Sequence, residues 1–492
     1  MFPELKRTVP ILFLALAAQA QTFEPVRVFP VSSAVNAGPE SIEAGDLDMD
    51  GHLDLATADN GFVTVRFGDG AGNFPRLLSL ATRVGNATDA LGLEDNKYAA
   101  IFDINQDGLK DILAANALNP LGSDGNSIEI FLNQLATPGA FVTPPSAITQ
   151  GMGTTPSGLK AGRLTPLVDN LPDLAVSLFL DPRLLVYRGG DGLTFFPVFE
   201  SGLLSQSAGE SLDLGDFDED GYPDIAVVDR LRVWVFFGDG AGNFPTSIST
   251  ATGPTDAHRE YDVLMRDMDG DHHLDLVVAN GGIQNLPDTS HSVVVLYGEG
   301  ARLIPSATVT IDVGGEAAKV AAGDFDGDGV LDLAAAVPEF FLNGRIVVVR
   351  NTGAGNLRSF DTASPLVLDA SGRGTQGLVA DDFDHDGRTD LALGNEGFAA
   401  QGFAGNIAVF LNALPDTLTP TPSPTETLLA TSTPTATRTR TPTRTITPTI
   451  TQTPTITPTR GPFKSPDINQ DGRLDERDLI ILLEQQGNST GP

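Results

Sequence analysis

Short runs of β-branched and aliphatic residues alternate along most of the chain with clusters of Gly, Asp, Asn and Pro, and the alternation itself repeats. One copy runs from Glu210–Gly215 through an acidic turn, Asp216–Asp224, into Ile225-Ala226-Val227-Val228. A short turn, Arg232–Phe237 and the sequence Gly238-Asp239-Gly240-Ala241-Gly242-Asn243-Phe244-Pro245 follow. Such runs bounded by turn formers predict strands, and the Gly-Asp-Gly segment predicts a hairpin. No apolar i, i+3, i+4 pattern runs far enough between the glycines to predict a helix. Four short strands per copy predict an all-β fold, a seven-bladed β-propeller of four-stranded blades. A linear β-solenoid is the alternative, but its turns are usually shorter and its ends need caps.

The acidic turns give the count. Asp-x-Asp/Asn-x-Asp-Gly-x-x-Asp or a near variant starts at Asp46, Asp103, Asp216, Asp267, Asp324 and Asp382, at intervals of 51 to 58 residues except for one of 113. A seventh copy without the leading aspartates fills that gap. Asp169-Asn170-Leu171-Pro172-Asp173-Leu174-Ala175-Val176 parallels Asp220-Gly221-Tyr222-Pro223-Asp224-Ile225-Ala226-Val227. Oxygen donors at alternate positions, with glycine sixth for the sharp turn and a backbone carbonyl at the seventh, suit Ca2+. The expected ligands are Asp46, Asp48, Asp50 and Asp54; Asp103, Asn105, Asp107 and Asp111; and Asp216, Asp218, Asp220 and Asp224. Asp267, Asp269, Asp271 and Asp275; Asp324, Asp326, Asp328 and Asp332; and Asp382, Asp384, Asp386 and Asp390 complete six propeller sites. Without a cation, carboxylates about 4 Å apart would repel by about 4 kcal/mol per pair at an effective dielectric near 20. Spacing, glycine and strand context together argue against merely solubilising acidic turns. Loop five has His272 where glycine belongs, which predicts the weakest site. The loop histidines His52, His272, His273 and His385 stand at non-ligand positions and read as solvent-facing.

Composition narrows the classes. Residues 1–20, with Lys6, Arg7, an apolar run and Ala18-Gln19-Ala20, read as a signal peptide, so the protein is expected to be secreted and possible attachment is to a cell surface, with no membrane insertion after cleavage. The absence of cysteine leaves no disulfides to stabilise an exported chain, and metal is the natural replacement. A formal charge of −34 argues against nucleic acid as a partner. No nucleophile elbow, zinc-protease, phosphate-loop or cysteine-nucleophile motif occurs. Residues 21–414 form the propeller, and residues 415–464 are a Thr/Pro-rich disordered linker with a stretched reach of about 150 Å.

Gly45-Asp46-Leu47-Asp48-Met49-Asp50-Gly51 and its equivalents, with Phe67-Gly68-Asp69-Gly70 and Phe237-Gly238-Asp239-Gly240, resemble the FG-GAP or VCBS repeat family, similar to the propeller of integrin α subunits. The resemblance implies a calcium-loaded propeller, in a family that includes adhesins, lectin-like modules and domains of lyases and phospholipases. Residues 465–492 resemble half of a type I dockerin: Asp467, Asn469, Asp471, Asp475 and Asp478 form one further Ca2+ loop, running into Leu479–Leu483. Either this half docks on a cohesin-like partner or it is a weakly ordered remnant. In the propeller, the loops joining second and third strands should share the face opposite the acidic loops, and they carry Phe340, Phe341, Phe398 and Phe403 as candidate ligand-binding residues. The expected function is adhesion or recognition of a carbohydrate or cell-surface protein. The alternative is a polysaccharide-acting enzyme, lyase or hydrolase, with its site in the propeller funnel and no catalytic residue assigned.

Overall fold

The apolar runs of the second and third strands become strands covered on both faces, while the outer strands stay partly exposed. In the fourth repeat the strands are Leu212–Gly215, Asp224–Val228, Val233–Phe237 and Thr246–Thr250. They pair antiparallel with Gly215 opposite Asp224, Ile225 opposite Phe236 and Phe237 opposite Thr246. The second strand is buried throughout, as its unbroken apolar run requires. This computed structural model describes residues 22–31, 38–59, 61–82, 95–117, 127–148, 156–178, 183–202, 204, 211–229, 232–252, 260–281, 291–303, 307–339, 342–353, 358–397 and 404–413. No helix occurs among them, and none is long and apolar enough to cross a membrane.

Seven four-stranded sheets form the blades. The copy lacking aspartates is a full third blade, Pro156–Gly162, Asp173–Leu178, Leu184–Gly190 and Thr194–Glu200. The seventh blade takes three strands from the end of the repeats, Thr375–Asp381, Asp390–Asn395 and Asn406–Phe410, and its outer strand, Arg27–Pro30, from the start. Arg27 lies opposite Val409, and the Glu24 N–H donates to the Leu411 carbonyl at 2.8 Å, so the two ends of the repeat array zip the ring shut. Blade two carries a hairpin, Asn133–Gln134 with Thr137–Phe141, that the strand pattern did not predict.

Neighbouring blades are joined by seven separate apolar cores. Each contains one residue from the acidic loop, or its counterpart in blade three: Leu47, Ile104, Leu164, Phe217, Met268, Phe325 or Phe383. The side chain that follows the first loop position therefore plugs the junction with the next blade. At the axis, side chains of one blade satisfy free N–H groups on the next blade's innermost strand. Ser41 Oγ accepts from Ala99 N–H at 2.8 Å, Asp213 Oδ2 from Met265 N–H at 3.0 Å and Asp262 Oδ2 from Val320 N–H at 3.0 Å. Residues 414–492, which hold the Thr/Pro linker and the whole dockerin-like half with Asp467, Asn469, Asp471, Asp475 and Asp478, lie outside the described residues.

Candidate metal centre

Each acidic loop is folded by two left-handed residues. In loop one, Met49 (φ 61°) and Gly51 (φ 88°) turn the chain so that Gly51 N–H donates to Asp46 Oδ2 at 3.1 Å and His52 N–H to Asp50 Oδ1 at 2.9 Å. Carboxylate oxygens consequently converge within 4.8 Å of one another in Asp46, Asp48 and Asp50; Asp216, Asp218 and Asp224; and Asp267, Asp269 and Asp271. The trios Asp324, Asp326 and Asp332, and Asp382, Asp384 and Asp390, do the same. Loop two gathers no such trio among the described residues: Asn105 stands third and its Nδ2 donates to Asp107 Oδ2 at 3.0 Å. Burial, reinforced by the neighbouring aspartates, pushes the Asp48, Asp216, Asp326 and Asp384 carboxyls above their ordinary range.

The donor set fits a hard cation. Asp46 Oδ1, Asp48 Oδ1 and Asp216 Oδ1 are buried with no hydrogen-bond partner. Leaving such an atom unsatisfied costs about 1–3 kcal/mol, and more when it is charged. Every converging ligand in the five trios is a carboxylate oxygen, the chemistry calcium takes and zinc does not favour.

The ninth loop position has a second task. Asp54, Asp111, Asp224, Asp275, Asp332 and Asp390 are fully buried. One oxygen of each accepts the N–H of the second loop residue at 2.7–3.1 Å. The other accepts the N–H just beyond the third strand, from Gly68, Asn133, Gly238, Gly298, Asn351 or Asn412, at 2.6–2.8 Å. Desolvation pushes all six carboxyls up to about 7 despite these bonds. Asp173 of blade three accepts an equivalent pair, from Thr165 N–H, one residue further along its loop, at 2.7 Å and from Gly189 N–H at 3.0 Å, with no acidic loop around it. This explains why the copy without an acidic loop keeps its last aspartate. A Cβ at Gly68 or Gly238 would run into the Leu53 or Pro223 carbonyl, so glycine is needed for this close approach.

The family model for the FG-GAP-like repeat matches residues 216–278 and 267–335, and that for the FG-GAP repeat matches 317–357 and 373–410. Residues 216–357 and 373–410 of the propeller carry FG-GAP repeats. No curated protein matches the sequence. Solved structures similar to it include BBS1N in complex with ARL6DN, soaked with lead, 13% identical over 82% of this chain and 99% of that one, with a TM-score of 0.48. Another is an Agrocybe aegerita lectin described for specific recognition of non-reducing terminal N-acetylglucosamine, 18% identical over 70% of this chain and 90% of that one, with a TM-score of 0.43. At these scores neither likeness bears on ligand or partner.

The acidic loops are also wired to the following blade. Where asparagine follows the third strand, its Nδ2 reaches the second-residue carbonyl of the preceding blade's loop. Asn133 donates to Leu47 O at 2.7 Å, Asn351 to Met268 O at 2.6 Å and Asn412 to Phe325 O at 2.9 Å. Arg302 of blade five pairs with Asp218 and, at 2.6 Å, with Asp220 of blade four. Arg358 of blade six lies 2.7 Å from Asp269 of blade five. The histidines divide: His272 is exposed as expected, with φ 73°, whereas His273 bonds Glu219 of the preceding loop and His52 packs on His385 across the closing seam, centroids 5.0 Å apart. Phe340, Phe341, Phe398 and Phe403 lie outside the described residues.

On the axis the first strands bring together a charged group that the sequence pattern hid. Lys160 Nζ lies 2.9 Å from Glu43, Arg266 3.1 Å from Asp213 and Lys319 3.5 Å from Asp262, beside Tyr98. Burial pushes the Tyr98 hydroxyl up. Burial alone would lower Lys160, but Glu43, the Tyr98 hydroxyl and Asp213 outweigh it and hold the ammonium well above its usual range.

Proposed function

We propose that this protein is an exported, calcium-loaded propeller that serves as a recognition or adhesion module for carbohydrate or protein ligands, presented on its Thr/Pro linker beside a dockerin-like tip. The observation that carries the calcium reading is the set of buried, partnerless carboxylate oxygens on Asp46, Asp48 and Asp216. Bound calcium would supply the positive charge these oxygens lack. The chain's own residues turn that into rigidity, because the loop residue that donates to the ninth-position aspartate also plugs the next blade's core and, at three junctions, accepts from its asparagine. A rigid ring is a platform for variable loops, and the loops bearing Phe340, Phe341, Phe398 and Phe403 are the proposed ligand face.

The enzyme alternative would place its chemistry in the axial funnel. Its candidate bases there, Tyr98 and Lys160, are both held protonated at neutral pH, which favours the binding module. The test is retention of the full chain on insoluble polysaccharides and cell-surface fractions, with calcium or chelator, while the supernatant is assayed for released sugar. Calcium-dependent retention without release supports the module. Released sugar would put the enzyme first.

A further inference from the structure

The acidic face changes character at one place. In blade three the first strand ends at Gly162 opposite Asp173, as Gly45 ends opposite Asp54 in blade one, so Arg163 stands where the other blades have their first aspartate. The intervening loop spans 163–172 rather than the 46–53 of blade one. Its middle is Pro166-Leu167-Val168, with Leu167 62% and Val168 45% exposed. Arg163 is exposed and makes no ion pair or side-chain hydrogen bond among the described residues, unlike Arg302 and Arg358, which are spent on neighbouring loops.

Arg163 opens onto a cleft of about 410 Å3 between blades two and three, lined also by Phe102, Asp103, Gln106, Asn170 and Pro172. One rim is fixed by Gln106 Nε2, which donates to the Asn170 carbonyl at 2.5 Å. Phe102 is anchored in the junction core, with Lys110 Nζ 5.8 Å from its ring centroid. Asp103 is turned into its own loop, where it accepts from Asp107 and Gly108 N–H. A free guanidinium presents a planar fork that matches a carboxylate. Phe102 offers an apolar surface to a ring, and the exposed Asn170 amide can both donate to and accept from hydroxyls.

We propose that this cleft binds a carboxylate-bearing sugar, a uronate unit, with Arg163 on the carboxylate, Phe102 against the ring and Asn170 on its hydroxyls. The volume suits one or two sugar rings. A phosphate polyanion is disfavoured by the formal charge of −34 on the chain. The site uses none of the four phenylalanines, and it rests on the recognition reading for its biological sense.

The test titrates the full chain, at fixed calcium, with a galacturonate trisaccharide, the matching neutral galactose trisaccharide and a glutamate-rich peptide. Wild type is expected to bind the uronide at least about tenfold tighter than the neutral sugar, a difference of about 1.4 kcal/mol. Arg163→Gln should erase that preference with an unchanged melting temperature, and Phe102→Leu should weaken both sugars. Equal binding by wild type and Arg163→Gln, equal binding of the two sugars, or preference for the peptide would each overturn the site. A surface fraction retained equally by wild type and Arg163→Gln would overturn this site and leave the recognition reading standing.

Discussion

Asp173 separates the structural task of the ninth position from metal binding, because blade three keeps the aspartate and lacks the acidic loop. Asp173→Ala removes the acceptor for two buried N–H groups, those of Thr165 at 2.7 Å and Gly189 at 3.0 Å. Each orphaned donor costs about 1–3 kcal/mol, so the variant should lose about 2–6 kcal/mol of stability. The loss should be the same with calcium or chelator. Asp224→Ala removes the equivalent bonds, from Phe217 and Gly238 N–H at 2.8 Å, and also one of the converging carboxylates. Its deficit should therefore be larger in calcium than in chelator. The assay is urea unfolding of both variants and wild type in the two conditions, read as the shift in midpoint at constant slope. A loss under about 0.5 kcal/mol for Asp173→Ala, or a calcium-dependent loss matching that of Asp224→Ala, would refute the reasoning.

Asn351→Ala should cost about 1–3 kcal/mol by orphaning the Met268 carbonyl, which now accepts at 2.6 Å, and calorimetry or urea midpoints would register it. His272→Gly relieves a left-handed histidine (φ 73°) and should gain about 0.5–1 kcal/mol net, while in the parent protein loop five should be the last to fill in a calcium titration. Asp59 is fully buried, accepts from Thr57 and Thr64, and is pushed up to about 7 by desolvation. Since its folded value lies above the ordinary carboxylate value of about 4, its stabilising contribution is complete below that pH and is lost as pH rises toward 7. Asp59→Asn should therefore flatten the stability decline between those limits, by up to about 1.4 kcal/mol per pH unit. Unfolding midpoints at pH 5 and pH 7.5 in constant calcium give the check, and an unchanged slope would refute it.

The sequence showed the blade number because it is a matter of period: acidic loops at regular intervals and a gap filled by Asp169–Val176. The aspartates that converge in five of the loops were legible for the same reason. The connections between blades were not, because a repeat shows which residues recur and hides which neighbour each one touches. The apolar residue after each first loop position recurs in every blade, from Leu47 to Phe383, and could have been recognised as the junction plug from that constancy alone. Asn133, Asn351 and Asn412 replace glycine without any local sign that they reach another blade. Lys160 and Glu43 are more than a hundred residues apart and meet because the ring places their strands around one axis. Asp262 is buried beside them for the same reason.

The central claim is that the acidic loops hold calcium and that this holds the ring together. Thermal unfolding of the full chain across a calcium titration, with bound ions counted by calorimetry, tests it directly. A site at a hundredfold excess over its dissociation constant adds about 2.7 kcal/mol, so several filled sites should raise the transition steeply with calcium. The expected count is six from the propeller and one more if the Asp467–Asp478 loop fills. An unfolding temperature that does not move between chelator and excess calcium, with no heat of binding, would contradict the account.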